Sequence, residues 1–172
     1  AKQAEWKKIA SGANARFEAW KNPGAAIMAP KPVASYAFED IKGNKTPNAQ
    51  GTNAAVLVES PKSVAGRSGQ ALQFSGDNEV ECRSAGEFKR TDAFSFTLWL
   101  KPTEKQARAV VFHRSRAWCD SGSRGYELVL EDGKPFFGLI HFWPGNAIAI
   151  RAKDALPLNE WSHLTVTYDG SS

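Results

Sequence analysis

Residues 94–102 read FSFTLWLKP and residues 161–170 read WSHLTVTYDG, and these two stretches decide the fold. In the first, Phe94, Phe96, Leu98 and Leu100 alternate with Ser95, Thr97 and Trp99; in the second, Leu164, Val166 and Tyr168 alternate with His163, Thr165 and Thr167. A period of two sends apolar side chains to one face of a strand and polar ones to the other. That is the pattern of an antiparallel sheet with one face on a core. Outward from these two, about ten strands rich in β-branched and aromatic residues are expected. They lie near 33–38, 54–59, 70–74, 78–83, 94–101, 107–114, 125–131, 134–142, 146–152 and 160–168. Asp132-Gly133, Pro144-Gly145-Asn146 and Asp169-Gly170 supply turn chemistry between or after them. With no crossover helices and no internal repeat, two antiparallel sheets packed as a sandwich or jelly roll are the simplest arrangement.

The first part of the chain follows a different rule. Trp6, Ile9, Ala10, Ala13, Phe17 and Trp20 recur at steps of three and four, which predicts a connector helix over 1–23. A Pro- and Ala-rich linker is expected over 24–32, and the β domain over 33–172. The chain stops two residues after the turn signal Asp169-Gly170, so a domain truncated at its C-terminal end, with an open edge and an uncovered core face, is expected.

The length of 172 residues and mass of 18.8 kDa suit one domain with a sizeable core. The net charge of +4 is concentrated in residues 1–23, where Lys2, Lys7, Lys8, Arg16 and Lys21 outnumber Glu5 and Glu18. The β domain is nearly neutral, which argues against nucleic acid as a partner. No apolar run reaches the roughly 18 residues of a membrane span. Cys82 and Cys119 lack metal-knuckle or haem-attachment spacing, and whether they form a bridge or remain two thiols is open.

The ordered set YAFED (36–40), ALQFSGDNEVE (71–81), FSFTLWLKP, GYELVLEDG (125–133) and WSHLTVTYDG resembles the laminin-G-like, concanavalin-A-like lectin/glucanase jelly-roll superfamily. RAVVFHRSRAWCDSGSRGYEL (108–128) and LIHFWPGNAIAIRAK (139–153) look like the lectin-like module embedded in large exported planctomycete-type multidomain haem c proteins. The resemblance implies a periplasmic or extracellular location and haem motifs carried by other parts of a parent protein. It also implies that the 1–23 helix is the tail of a preceding domain. Cys119 departs from that pattern, which has a small polar residue there. The run GDNEVE resembles the Asp-Asn pair with which pentraxin-type jelly rolls hold calcium. It thus implies Asp77 and Asn78 as metal ligands, the alternative being a turn cap at Asp77.

Glycoside hydrolysis usually requires paired carboxylates, and the strand motif E-x-D-x-x-E is absent. The nearest pairs, Glu79 with Glu81 and Glu127 with Glu131, read as surface positions, so no catalytic residue is assigned. The ligand-binding candidates fall in two strips. The loop after His113 carries Arg114, Arg116, Trp118, Asp120 and Arg124, a flat ring beside groups able to hydrogen-bond sugar hydroxyls. The other reading packs Trp118 over the sandwich mouth with Arg116 paired to Asp120. The second strip, His141, Trp143 and Asn146, is a platform if its strand face meets solvent and core if it does not. His163 reads as a structural histidine. The expected function is a non-catalytic, lectin-like module for polysaccharide or glycan, with calcium an optional cofactor. The alternative is a structural docking module that contacts other domains of the same polypeptide or a partner chain.

Overall fold

The computed structural model describes Glu18 and residues 31–83, 85–115 and 124–171. The chain divides into two units, Ala1–Val33 and Ala34–Ser172, and all the described strands belong to the second. The expected connector helix, apart from Glu18, and most of the linker lie outside the described residues.

Among the described residues eleven strands form: β1 Lys45–Thr46, β2 Ala55–Val58, β3 Lys62–Ala65, β4 Gln70–Gln73, β5 Glu79–Glu81, β6 Phe94–Leu100, β7 Arg108–Ser115, β8 Gly125–Glu131, β9 Lys134–Phe142, β10 Asn146–Arg151 and β11 Ser162–Tyr168. Every pairing is antiparallel. They make a four-stranded sheet β10-β9-β8-β7, a three-stranded sheet β1-β2-β5, and the pairs β6-β11 and β3-β4. The architecture is all-β, as the alternation in β6 and β11 requires, and is consistent with a jelly roll.

The core forms where the apolar face of β6-β11 meets the four-stranded sheet. Phe94 and Val166 from the first join Tyr126, Leu128 and Phe137 from the second, with Phe96, Phe112, Leu139 and Leu164 around them. Aromatic rings dominate the contact. Phe94 lies 6.0 Å from Tyr126 and 6.4 Å from Phe137, and Phe96 lies 4.8 Å from Phe112 and 5.1 Å from Tyr126. Phe88, just before β6, stacks on Phe94 at 4.5 Å. Ile148 and Ile150 of β10 align with Leu139 and Phe137 and so share their face, yet remain 45% and 61% exposed.

The β8-β9 hairpin turns through Asp132 and Gly133, both at positive φ (51° and 80°), which is the two-residue turn that Asp-Gly favours. The expected strand over 33–38 does not form. Its backbone bonds go to a loop instead: Ser35 donates its N–H to Asn48 Oδ1 (2.9 Å) and accepts from Ala49 N–H (2.8 Å). With those groups taken, no ladder is available to it. The short β3 escapes a sequence reading because Val64 is its one large apolar residue.

Tyr126 joins the core to the segment before β6, for its hydroxyl donates to Gly86 O at 2.8 Å. Gly86 adopts φ 78°, and a Cβ there would strike that hydroxyl. Burial pushes the Tyr126 pKa from 10.0 up to about 12, opposed in part by the Arg114 guanidinium. The folded state therefore holds this proton where the unfolded chain has lost it. The associated stability is intact below about pH 10 and falls by roughly 2–3 kcal/mol as pH rises to about 12. Urea unfolding across that range should show a steeper alkaline decline in the wild type than in Tyr126→Phe. That variant should also be about 1 kcal/mol less stable near neutral pH, with Gly86 O left unpaired.

Candidate functional site

The register of the four-stranded sheet brings the two sequence-predicted strips to one end of it. Ser115 pairs with Gly125, Gly125 with Ile140, and Asn146 with Phe142. The β7-β8 connection and the β9-β10 turn therefore leave from the same sheet end. Arg124, His141, Trp143 and Asn146 are all exposed there. Arg116, Trp118 and Asp120 lie in the connection outside the described residues, as does Cys119.

Trp143 follows the last residue of β9, in a turn that contains a cis Trp143-Pro144 peptide. Strand alternation, which would put it on the face of His141, ends at Phe142. Its ring instead stands edge-on to Phe136 at 6.1 Å, so it belongs with the other face of β9. Trp143 is not core, being 43% exposed. Phe136 is held in turn by the Arg151 guanidinium, 5.4 Å above its ring, and Arg151 is ion-paired with Glu131. This chain of contacts holds the Trp143 ring against Phe136. Phe142, outside the strip expected from sequence, adds an exposed aromatic surface at this sheet end, and the Pro-Gly turn that follows it ends the strand.

Arg114 stands apart from this group. Its guanidinium donates to Glu87 Oε1 at 2.6 Å and approaches Ala85 O at 3.4 Å. It shares a face with Tyr126, so it braces the segment before β6 against the core. His113 Nδ1 meets Ser115 Oγ at 2.9 Å on the strand leading into the loop. Gly125, where the loop re-enters the sheet, sits at φ 142°, and a Cβ there would strike Arg114 O.

The candidate acids do not form a hydrolytic pair. Glu127 accepts from Arg108 at 3.1 Å, and Glu131 is taken by Arg151. Four residues of strand separate their backbones by about 13 Å, beyond the roughly 5–9.5 Å between glycosidase carboxylates. Glu79 is exposed, and Glu81 is bound by Arg83 at 2.6 Å. Asn78 uses its side-chain oxygen to accept Ser75 N–H at 2.9 Å, and Asp77 is exposed. Among the described residues no group of three or more His, Cys, Asp or Glu side chains is placed to hold a metal ion. His163 is engaged by Thr97 Oγ1 at 2.7 Å and packs on Trp99 at 4.8 Å, a structural role.

Cys82 is a free thiol, half-buried beside the Tyr36 hydroxyl. Burial pushes its pKa up, and the Tyr36 hydrogen bond offsets part of that rise.

The described strands form antiparallel sheets consistent with a jelly roll, with exposed aromatic and polar groups at one sheet end. A laminin G family model, described as the concanavalin A-like lectin/glucanases superfamily, matches residues 74–172, more than half of the chain. The chain belongs to this family. No curated protein and no solved structure matches it.

Two outcomes follow from the local geometry. Gly125→Ala should lose about 2 kcal/mol or more in chemical denaturation, because the new Cβ meets backbone at a conformation that L side chains rarely adopt. Cys82 should react with a maleimide at neutral pH at least tenfold more slowly in the folded chain than in urea, since the protonated, half-buried thiol is a poor nucleophile.

Proposed function

We propose that this domain is a non-catalytic carbohydrate-binding module of a larger exported protein, located in the periplasm or outside the cell. The single observation that carries the reading is the shared sheet end. There Trp143 remains 43% exposed, and Arg124, His141 and Asn146 are exposed at the same sheet end. An indole face accepts the C–H face of a sugar ring, while guanidinium, imidazole and amide groups hydrogen-bond its hydroxyls. The reading extends, on sequence alone, to Arg116, Trp118 and Asp120 between β7 and β8, with Trp118 as a second stacking ring. Membership of a superfamily that contains lectins supports the reading. The carboxylate spacing supports binding rather than hydrolysis.

A second reading has its own support. Ile148 and Ile150 expose apolar surface on the core side of β10, which suits docking against another domain of a multidomain haem c protein or a partner chain.

Affinity electrophoresis against neutral and acidic polysaccharides, with calcium or with chelator, separates the two. The folded domain should be retarded, and both Trp143→Ala and Trp118→Ala should weaken retardation tenfold or more. Chelator should leave it unchanged. No retardation by any polymer would favour the docking module.

A further inference from the structure

Distant from that sheet end in sequence, the segment after Tyr36, the β2-β3 connection and the start of β4 enclose a cleft of about 490 Å³. This lies within the roughly 300–1,000 Å³ of small-molecule sites. Three of its lining residues hold left-handed backbone: Phe38 at φ 63°, Gly43 at 60° and Ser60 at 50°. For an aromatic residue such a conformation is a true outlier, and it persists only where its surroundings over-determine it.

The lining chemistry is selective. Glu39 supplies a carboxylate, Asn44 and Gln70 amides, Ser60 and Ser63 hydroxyls, and Phe38 an aromatic surface, while among the described residues no Lys, Arg or His lines the cleft. Two of the polar groups are positioned in advance. Glu39 Oε1 accepts Gln70 N–H at 2.9 Å, which leaves its second oxygen as an acceptor. Gly69, at φ 65°, makes room for that carboxylate, because a Cβ there would strike it. Ser63 Oγ donates to Gln70 Oε1 at 3.1 Å, so the amide's two N–H donors remain for a ligand. A lone carboxylate without a cation disfavours anions, acidic sugars included. Neutral sugar hydroxyls match both its acceptor and the amide donors, and a sugar's C–H face suits Phe38.

We propose that this cleft is a second sugar site, specific for a neutral mono- or disaccharide unit. The proposal rests on the carbohydrate reading of the domain, but the cleft shares no lining residue with the Trp143 sheet end. Two separated sites on one domain would raise the avidity for a polysaccharide.

The test is amide NMR of the whole chain titrated with maltose, cellobiose, lactose and glucuronic acid, in wild type, Glu39→Gln, Asn44→Ala and Trp143→Ala. The Gln side chain keeps an acceptor for Gln70 N–H, and signal dispersion reports that each variant is folded. Expected are shifts at the amides of Glu39, Ser60 and Gln70 with at least one neutral sugar and none with glucuronic acid. Glu39→Gln and Asn44→Ala should weaken them about tenfold, and Trp143→Ala should leave them unchanged. If only amides at 143–147 move, the second site is overturned and the sheet-end reading stands. If the 39–70 shifts vanish in Trp143→Ala, there is one site and the proposal also fails. If no amide moves with any of these sugars, the cleft proposal falls, while retardation by a polymer in affinity electrophoresis would still support the sheet end.

Discussion

The tilted and edge-on packing of Phe88, Phe94 and Phe96 against Tyr126, Phe112 and Phe137 is the contact on which the rest of the domain depends. It joins β6-β11 to the four-stranded sheet, two units that share no backbone hydrogen-bond ladder. Burying rings of this size removes more apolar surface from water than any other side chains here can. Tyr126 extends the contact outward: its hydroxyl holds Gly86, and Arg114, on the same face, holds Glu87. The segment before β6 is thereby pinned across the sandwich.

That packing sets the site. With β7, β8 and β9 held by the core, their register decides which loops emerge together, and it places the connection after Ser115 beside the turn after Phe142. The ligand-binding groups proposed here sit on the last residues of rigid strands and on the turns between them. Trp143 takes its direction from Phe136 and, through it, from Arg151 and Glu131. At Trp143, candidate binding surface and scaffold contact thus meet in one side chain.

Much of this was readable from residue order. The two-residue period of FSFTLWLKP and WSHLTVTYDG yields β6 and β11 as strands of an antiparallel sheet with one face on the core, and Asp132-Gly133 marks a turn whose two residues both take positive φ. The end of GYELVLE and the start of KPFFGLIHF follow from that turn. Failures occurred where tertiary partners replaced local rules. VASYAF has strand-like composition, but Asn48 and Ala49 take its backbone groups, and no local pattern encodes that. Trp143 was placed with His141 by alternation, which the Pro-Gly turn cut short. The cleft around Glu39 was invisible, because its walls come from three segments and depend on left-handed backbone at Phe38 and Ser60, residues that carry no turn signal.

The central claim is that the sugar sits where the β7-β8 connection and the β9-β10 turn emerge. Hydrogen exchange of the backbone amides, compared with and without a polysaccharide that retards the domain, tests it directly. The account predicts slowed exchange at 124–126 and 143–147, with the β5 edge and the 103–107 connection unchanged. Protection confined to other regions, with no change at 124–126 or 143–147, would contradict it.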